Sequence, residues 1–367
     1  MVGRTRYTLP LSESLARKFD ALDRELDVHV LATAGGGGHG ADSRFRLFRP
    51  LPLGRLEGAA FYALLPLRVA RELRAFRPDA VLVQGGQETS LVLLGRVFAR
   101  SRAKVVLDVH GDWRAPTRLY GSPWRRAVAP VGDALARIAL RKADAVRTIS
   151  AYTSGLVRSE GVEPAAVFPA FMDLDPFLES RPAPLPERPV ALFVGVLERY
   201  KAVDVLADAW RQAAPRLPDA ELRIVGRGPQ SPVVERLVAE SEGRVTWMPS
   251  LPGDGVARAL DAATVLVLPS RSEGLGRVVV EAFCRGRGVV GSRIGGIPDL
   301  VTDDETGILV PPEDAGALAD ALVRALCDGP LAERLGAAAR HAVEPWLATP
   351  EEYAGAMREL VERVAAS

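Results

Sequence analysis

The fold is decided by Ser270-Arg-Ser-Glu273-Gly-Leu-Gly-Arg-Val-Val-Val-Glu281, a segment that follows a short apolar run at 265–268. An apolar run, a glycine-rich turn and an apolar helical stretch together indicate a strand, a turn and a helix of a parallel sheet. Glu273 lies in the turn, and Glu281, eight positions later, lies in the helix. Glycines beside Glu273 leave backbone N–H groups open to a ligand, and Glu281 can accept hydrogen bonds from vicinal hydroxyls. The segment therefore predicts a site for a polar, hydroxyl-rich ligand.

The same alternation of apolar runs and helical patterns extends along the whole chain. Candidate strands are 28–33, 80–83, 104–109, 145–149 and 166–168 in the first half, and 190–194, 221–225, 245–247, 265–268, 288–291 and 307–310 in the second. Amphipathic helical patterns lie between them, for example at 12–26, 202–214, 232–241 and 315–326. Repeated strand–helix alternation indicates parallel sheets with helices on both faces.

A proline-rich segment at 179–189 divides this pattern into two halves. Proline cannot continue a helix or a central strand, so the segment is interpreted as a linker. We therefore expect an α/β protein with two doubly wound, parallel-sheet (Rossmann-like) domains, 1–180 and 190–345, facing each other across a cleft. Ligands of such sheets bind beyond the carboxyl ends of the strands.

The N-terminus is unusual for this architecture. Val2-Gly3-Arg4-Thr5 looks like the glycine loop that follows a first strand, yet only two residues precede Gly3. The first strand is central in a doubly wound sheet, so its loss would leave an apolar gap. We therefore expect the natural start to lie upstream of Met1.

Two cations follow the apolar run 190–194, in Gly195-Val-Leu-Glu-Arg199-Tyr-Lys201. Cations beyond a strand end can offset the charge of a diphosphate group. The alternative is an exposed Arg and Lys pair without a ligand.

Glycine turns and one histidine complete the candidate site residues. Gly226, in Val225-Gly226-Arg227-Gly228-Pro229, and the later Gly295-Gly296-Ile-Pro298 follow predicted strands, where glycine permits unusual backbone angles or close approach of a ligand. Tight-turn architecture explains both equally well. His110 follows the apolar run 104–109 and precedes a glycine, which favours a place at the cleft, although a lone histidine is usually structural.

Taken together, these motifs resemble glycosyltransferase family 4, whose members are retaining enzymes of the GT-B fold. The matching segments are Phe193-Val-Gly195-Val-Leu-Glu-Arg-Tyr-Lys201, Ile224-Val-Gly226-Arg-Gly-Pro229, Leu268-Pro-Ser-Arg-Ser-Glu273-Gly-Leu-Gly276, Val280-Glu-Ala-Phe283 and Gly295-Gly-Ile-Pro-Asp-Leu-Val301. The resemblance covers most of the chain and implies transfer of a hexose from a UDP- or GDP-sugar to a glycan, lipid-linked or small-molecule acceptor.

The resemblance also implies a role for individual residues. Glu273 should face the donor sugar as a catalytic residue, and Glu281 should bind the ribose hydroxyls. Lys201 should bind the diphosphate, and His110 should lie near the donor sugar as a second catalytic residue. Gly3 matches the N-terminal glycine loop that approaches the donor phosphate.

The remaining donor-binding residues implied by the resemblance are Arg199, Gly195, Gly226, Gly274, Leu275 and Gly276. Many members have Arg where this chain has Val196, and Arg199 is the candidate replacement for that charge. The family generally works without a metal, so we expect no metal ligands and no cofactor beyond the donor substrate. We further expect the final helix, 346–367, to pack back onto the first domain.

Charge is divided unequally between the two halves. Residues 1–180 hold 26 Lys and Arg against 19 Asp and Glu, whereas residues 181–367 hold 21 against 27. Arg68, Arg71, Arg74 and Arg77 repeat at three-residue spacing along a predicted helix. A basic amphipathic surface favours peripheral contact with an anionic inner membrane face. The alternative is a solvated Arg-rich surface on an enzyme with a small acceptor.

Composition limits the remaining choices. Two unpaired cysteines, no secretion signal and no long apolar run predict a cytoplasmic protein. No glycine motif typical of a nicotinamide dehydrogenase is present, and we expect no nucleic-acid partner. Two alternatives stay open: a non-catalytic protein that binds sugar nucleotides or glycans, and a sugar-nucleotide epimerase of the same fold.

Overall fold

A computed structural model gives the structure of residues 1–36, 40–49, 57–119 and 123–367. The chain forms two compact units. The first contains Met1–Thr117, Pro123–Phe171 and Ala348–Ser367, and the second is built on Met172–Leu347. The chain therefore passes from one unit to the other near Phe171 and returns near Ala348.

The first unit is a parallel sheet with helices on both faces. Its strands are β1 Val2–Tyr7, β2 Val30–Ala34, β3 Phe45–Phe48, β4 Ala80–Gln84, β5 Lys104–Val109, β6 Ala145–Thr148 and β7 Ala166–Val167. Its helices are α1 Glu13–Glu25, α2 Glu57–Phe76, α3 Gly86–Ala99, α4 Ala115–Leu119, α5 Pro123–Lys142, α6 Ala151–Ser159 and, from the end of the chain, α15 Pro350–Ala365. The strand order is β3-β2-β1-β4-β5-β6-β7.

The second unit repeats the design. Its strands are β8 Val190–Val194, β9 Glu221–Val225, β10 Val245–Met248, β11 Val265–Leu268, β12 Gly288–Ser292 and β13 Gly307–Val310, in the order β10-β9-β8-β11-β12-β13. Its helices are α7 Asp175–Leu178, α8 Val203–Ala213, α9 Ser231–Glu240, α10 Gly253–Asp261, α11 Arg277–Cys284, α12 Ile297–Leu300, α13 Ala315–Cys327 and α14 Gly329–Ala342. All its strand pairs are parallel, so the predicted pair of doubly wound parallel sheets is confirmed.

The final helix completes the core of the first unit. Tyr353, Met357 and Leu360 of α15 are buried in one cluster with Phe19 and Leu22 of α1. Apolar residues at this spacing form one face of the helix, and a capping box at Thr349 fixes its start. The structure assigns the end of the chain to the first unit from Ala348 onward, two residues after the predicted start at 346.

The premise of the N-terminal expectation, a missing first strand, is wrong, and the expected start upstream of Met1 stays a prediction. Val2–Tyr7 itself forms β1, which lies between β2 and β4, so the sheet has its central strand and no apolar gap. Gly3 consequently lies inside a strand and not in a loop after one. β3 was also missed by the sequence analysis.

The proline-rich segment 179–189 is fastened to the second unit. The guanidinium of Arg285, which is 1% exposed, donates to the carbonyl oxygens of Phe177, Ser180 and Arg181. Arg287 donates to the carbonyl oxygens of Ala183 and Pro184. These bonds explain why the unit begins at Met172, before the segment that the sequence indicated as the boundary.

Candidate functional site

The site predicted in the second unit lies at the carboxyl ends of β8, β9 and β11. The strand order reverses between β8 and β11, which makes that place the topological switch point of the sheet. Ligands of open parallel sheets bind at such points because the loops there leave in opposite directions and open a crevice. The Gly195–Lys201 loop follows β8, and the Glu273 loop follows β11. The fold therefore brings the two strongest sequence motifs to one place.

Lys201 and Glu273 form an ion pair in this crevice. The Lys201 ammonium donates to Oε1 of Glu273, and both side chains are about nine-tenths buried. Ser270, which is fully buried, donates its hydroxyl to the same oxygen at 3.0 Å. Glu273 is thus held at one oxygen, and Lys201 is positioned at the end of a short 3-10 turn, Arg199–Lys201. The pair that the sequence placed 72 positions apart is in direct contact.

Arg271 fastens the two loops to each other. Its guanidinium makes a two-pronged contact with Asp204 at 2.9 and 2.8 Å and donates to the carbonyl oxygen of Arg199 at 2.8 Å. Burial raises the pKa of Asp204, but the hydrogen bonds and charge of Arg271 outweigh it, so this pKa lies below its ordinary value. Arg271 was not among the site residues predicted from the sequence. Its place in Ser270-Arg-Ser-Glu273 is the signal that it belongs to the site.

Glycine is required where backbone segments of the site touch. Gly226 has a φ of 142°, and a Cβ there would stand 1.8 Å from the carbonyl oxygen of Gly195. A Cβ on Gly295 would stand 2.1 Å from the carbonyl oxygen of Glu273. The structure therefore supports tight packing as the reason for both turns. Since α12 after Gly295-Gly296 has only four residues, we assign no phosphate site to it.

Glu281 is partly buried on α11, five positions after Gly276 begins that helix with a positive φ of 92°. Burial raises the pKa of Glu281 above its ordinary value, and the charges of Arg277 and Lys201 only partly oppose this. In the part of the chain that the structure describes, no hydrogen bond or ion pair is recorded for this carboxylate. A partly buried carboxylate without such a partner is unfavourable in the free protein and is suited to a ligand that supplies hydrogen-bond donors.

The other predicted residues surround these groups. Leu275 is buried, and Gly274 adjoins Glu273 in the same loop. Arg199 is exposed, so its guanidinium faces solvent, while its carbonyl oxygen accepts from Arg271. Val196 is likewise exposed, at 48%. Whether Arg199 replaces the charge missing at Val196 stays a prediction.

His110 belongs to a charged network in the first unit. Its Nε2 lies 2.8 Å from Oδ2 of Asp108, which is 2% exposed, and Arg147 donates to the other oxygen at 2.6 Å. Burial raises the pKa of Asp108, but the charges and hydrogen bonds of His110 and Arg147 bring it below its ordinary value. An ionised carboxylate only accepts hydrogen bonds, so Nε2 of His110 carries the proton and Nδ1 is the acceptor in the neutral ring.

Asp108 and Arg147 were not assigned from the sequence. Arg147 is fully buried, donates to the carbonyl oxygens of Phe168 and Pro169, and stacks over the Phe168 ring at 4.0 Å. The signal was a charged residue inside each of two apolar strands, β5 and β6. Gly3 lies in strand β1, so its predicted place in a glycine loop is wrong, while its role beside the donor phosphate stays a prediction.

The described ranges contain neither a membrane-spanning helix nor a metal-binding cluster. None of the helices there is long and apolar enough to cross a membrane. No group of three or more His, Cys, Asp or Glu side chains in those ranges is arranged to hold a metal ion. Metal independence stays a prediction.

Comparisons with known proteins match both units. Residues 3–170 match the model of the glycosyl transferase 4-like domain, and residues 188–328 match that of glycosyl transferases group 1. The chain is 31% identical, over 73% of each chain, to the GDP-mannose-dependent alpha-(1-6)-phosphatidylinositol monomannoside mannosyltransferase of Mycolicibacterium smegmatis. It is 34% identical, over 44% of this chain and 40% of the relative, to the D-inositol 3-phosphate glycosyltransferase of Corynebacterium diphtheriae.

Alignments with three of the curated relatives span only 31% to 63% of those proteins' length. Among solved structures, sucrose-phosphate synthase from Thermosynechococcus elongatus superimposes with a TM-score of 0.78 at 22% identity, covering 100% of this chain and 99% of that one. That likeness concerns the fold.

Proposed function

The chain belongs to glycosyltransferase family 4, and on that premise we propose that it transfers a hexose from a UDP- or GDP-sugar to a glycan or lipid-linked acceptor with retention of configuration. The observation that carries the proposal is the crevice at the switch point of the second sheet. There a buried Lys201–Glu273 pair lies beside Glu281, a carboxylate for which the described residues show no hydrogen bond or ion pair. A sugar nucleotide fits these groups, because its diphosphate is attracted to the ammonium of Lys201 and its hydroxyls can donate to Glu281 and Glu273.

Lys201 stabilises the leaving group in this proposal. Cleavage of the sugar–phosphate bond places negative charge on the diphosphate, and an ammonium fixed before the reaction stabilises that charge without reorganisation. Lys201 is fixed by Glu273 and by the turn that Arg271 holds from the neighbouring loop. Exposed Arg199 adds positive charge near the same place.

Glu273 is suited to binding rather than to attack. Its Oε1 already accepts from Lys201 and from Ser270, which lowers the availability of that oxygen as a nucleophile. We therefore propose that Glu273 holds donor-sugar hydroxyls and that the acceptor attacks on the face from which the diphosphate departs. The acceptor's proton then passes to the diphosphate oxygen, so the step needs no protein nucleophile.

His110 is proposed to orient the donor sugar. Asp108 fixes its Nε2 proton and therefore its ring, which leaves Nδ1 to accept a hydrogen bond from a sugar hydroxyl. Asp108 and Arg147 are positioning residues because they act through His110.

Nucleotide binding gives the first test. Lys201→Ala should weaken the binding of UDP or GDP by roughly 10- to 100-fold, since hydrogen bonds to charged groups contribute about 1.5–3 kcal/mol. The matched control is Arg236→Ala, which removes an exposed cation from α9 of the same unit. Calorimetric titration measures both. Equal nucleotide affinity in the wild type and in Lys201→Ala would refute the site.

Product analysis separates transfer from the other possibilities. Incubation with UDP- and GDP-hexoses and candidate acceptors should give an α-linked product from an α-linked donor, detected by nuclear magnetic resonance. A new epimer of the donor, formed without acceptor, would show an epimerase instead. Nucleotide binding with neither reaction would favour a non-catalytic binding protein.

Peripheral membrane attachment is the second part of the proposal. Exposed large apolar side chains gather on three neighbouring helices of the first unit: Leu67 on α2, Leu94, Val97 and Phe98 on α3, and Val131 and Ile138 on α5. Exposed Arg71, Arg74 and Arg141 lie on α2 and α5. Apolar side chains flanked by arginines complement an anionic bilayer, into which the former insert while the latter meet lipid phosphates. We therefore propose an anionic bilayer as the partner of this face.

Co-sedimentation with vesicles tests the attachment. The protein should pellet with phosphatidylglycerol vesicles and not with phosphatidylcholine vesicles, and Val97→Asp should release it. Leu178→Asp, which changes an apolar side chain of similar exposure in the second unit, is the control. Equal binding of the wild type and Val97→Asp would refute the assignment of this face.

A further inference from the structure

A small basic pocket in the first unit has no role in the function proposed above. It lies between strands β1–β3 and helix α2. Its lining includes four arginines and a threonine: Arg4, Arg6, Arg49, Arg68 and Thr33. Glu57 is the one acidic side chain among the lining residues that the structure describes. The pocket therefore carries an excess of three positive charges.

The backbone explains how two of these arginines come together. Arg4 and Arg6 are two positions apart on β1 and so point to the same face of the sheet, the face covered by α2. Arg4 lies 5.8 Å from the ring centre of Tyr62 on α2, and Arg6 pairs with Glu57 at 2.7 Å. Beyond Val2, β1 is not paired with β4, which leaves its carboxyl-end half open on that side.

Most of the positive charge is uncompensated. Within the described residues, Arg4, Arg49 and Arg68 form no ion pair, and Arg6 has only Glu57. Arg68 is partly buried with its guanidinium stacked 4.1 Å over the ring of Phe48. Burial lowers the pKa of Arg68, as expected for a cation without a nearby anion. Arg4, Arg6 and Arg49 are exposed, so water screens part of their mutual repulsion, and a bound anion would offset the rest.

Thr33 gives an independent indication of a ligand. Its side chain is 94% buried, since only 6% is exposed, and its hydroxyl oxygen has no hydrogen-bond partner in the described structure. Buried hydroxyls are nearly always hydrogen-bonded, because leaving one without a partner costs free energy. Thr33 lines the same pocket as the arginines. The unpartnered hydroxyl and the uncompensated guanidiniums thus converge on one place.

We propose that this pocket binds the phosphate group of the acceptor, so that the acceptor is a phosphate ester. Guanidinium forks match phosphate oxygens in pairs, and a threonine hydroxyl donates to a third oxygen. The pocket lies at the carboxyl ends of its strands, which is where ligands of parallel sheets bind. The phosphate belongs either to a soluble sugar or polyol phosphate or to a lipid headgroup. The inference rests on the proposed transferase function and names its acceptor class.

The test uses the full chain and two probes. Glycerol 3-phosphate, compared with glycerol, represents the soluble ester, and phosphatidylglycerol vesicles represent the headgroup. Arg4→Gln and Thr33→Val should each weaken glycerol 3-phosphate binding by roughly tenfold, as expected for loss of one hydrogen bond to a charged group. Arg158→Gln, on an exposed arginine paired with Glu163 in the same unit, is the control.

Thr33→Val separates phosphate binding from a purely structural role of the Thr33 hydroxyl, because the two predict different changes in thermal stability. Replacement of an unpartnered buried hydroxyl by a methyl group should leave the thermal midpoint of the free protein unchanged or raise it, while phosphate affinity falls. Arg68→Gln is a weaker test because loss of packing on Phe48 can itself unfold the unit.

Pocket-dependent binding of glycerol 3-phosphate assigns a soluble ester, and pocket-dependent binding of vesicles alone assigns a headgroup; both support the inference. Affinity that is equal in the wild type, Arg4→Gln and Thr33→Val, or that falls equally in Arg158→Gln, overturns it. UDP and GDP titrations of the same variants should match the wild type. Failure of the wild type to bind any nucleotide would overturn the proposed function, whatever the phosphate result.

Discussion

Glu281→Gln should stabilise the free protein and at the same time impair its binding of a nucleotide. The carboxylate is partly buried and has no recorded partner among the described residues, so its charge is unfavourable in the folded state. Burial raises its pKa, so the folded protein retains a proton on Glu281 at pH values where the unfolded chain has lost it. The resulting penalty is absent below the unfolded pKa, near 4.3, grows as pH rises toward the raised folded pKa, and is complete above it.

Glutamine has the same shape without the charge and avoids this penalty. Stabilising single substitutions commonly contribute 0.5–2 kcal/mol, and we expect about 1 kcal/mol at pH 7. For a unit the size of residues 172–347, that corresponds to a rise of roughly 2–4 °C in thermal midpoint. Loss of a charged acceptor for ribose hydroxyls should weaken UDP or GDP binding by roughly 10- to 100-fold.

Thermal unfolding between pH 4 and pH 8 and calorimetric titration measure the two effects. The gain in midpoint should vanish near pH 4, where the carboxyl is protonated in both states. Glu305→Gln, at an exposed site of the same unit, should change neither quantity. A lower thermal midpoint in Glu281→Gln at pH 7 would show that a group of the protein stabilises this carboxylate. Unchanged nucleotide affinity would show that the nucleotide does not contact it.

Three further substitutions test the framework. Asp108→Asn leaves a buried guanidinium without its anion and should lower the free energy of unfolding by roughly 3–5 kcal/mol in urea titrations. Because the folded pKa of Asp108 is depressed, its stabilising effect is present above about pH 4 and lost as pH falls through the folded value, a dependence the variant should lack. Gly226→Ala brings a Cβ to 1.8 Å from a backbone oxygen and should destabilise by more than about 1 kcal/mol and weaken nucleotide binding; wild-type values for both would contradict the packing argument. Arg285→Met should speed cleavage after Glu179 and Glu187 by a glutamate-specific protease, and an unchanged cleavage rate would show that other contacts hold the segment.

The second unit was predictable because the sequence of each segment favours the secondary structure that the segment adopts. Its strands are short runs of four or five residues rich in valine, leucine and isoleucine, and the structure moves the predicted bounds by no more than a residue. The motifs around Lys201, Glu273 and Glu281 follow such strands, so the order of the sheet decides which of them meet. The contact between Lys201 and Glu273 follows from that order and not from their spacing.

The first unit was harder to predict from the sequence because two of its strands lack the pattern that is typical of a strand. β1 reads Val-Gly-Arg-Thr-Arg-Tyr, and its arginines point into a basic pocket rather than a core. β3 reads Phe-Arg-Leu-Phe and has no β-branched residue. Asp108 and Arg147 were missed for a related reason, since one charge in an apolar strand shows neither its burial nor its partner. The bonds of Arg285 span more than a hundred positions, which no local pattern reveals.

The late position of α15 in the chain reverses the order in which the two units are completed during synthesis. Residues 172–347 leave the ribosome with every strand and helix of their unit already made. At that point the first unit still lacks Tyr353, Met357 and Leu360 of α15. Phe19 and Leu22 of α1, which pack in the same cluster, therefore remain exposed to solvent. A nascent chain stalled before residue 348 therefore has a complete second unit and a first unit with exposed apolar surface. Chaperones recognise such exposed apolar surface.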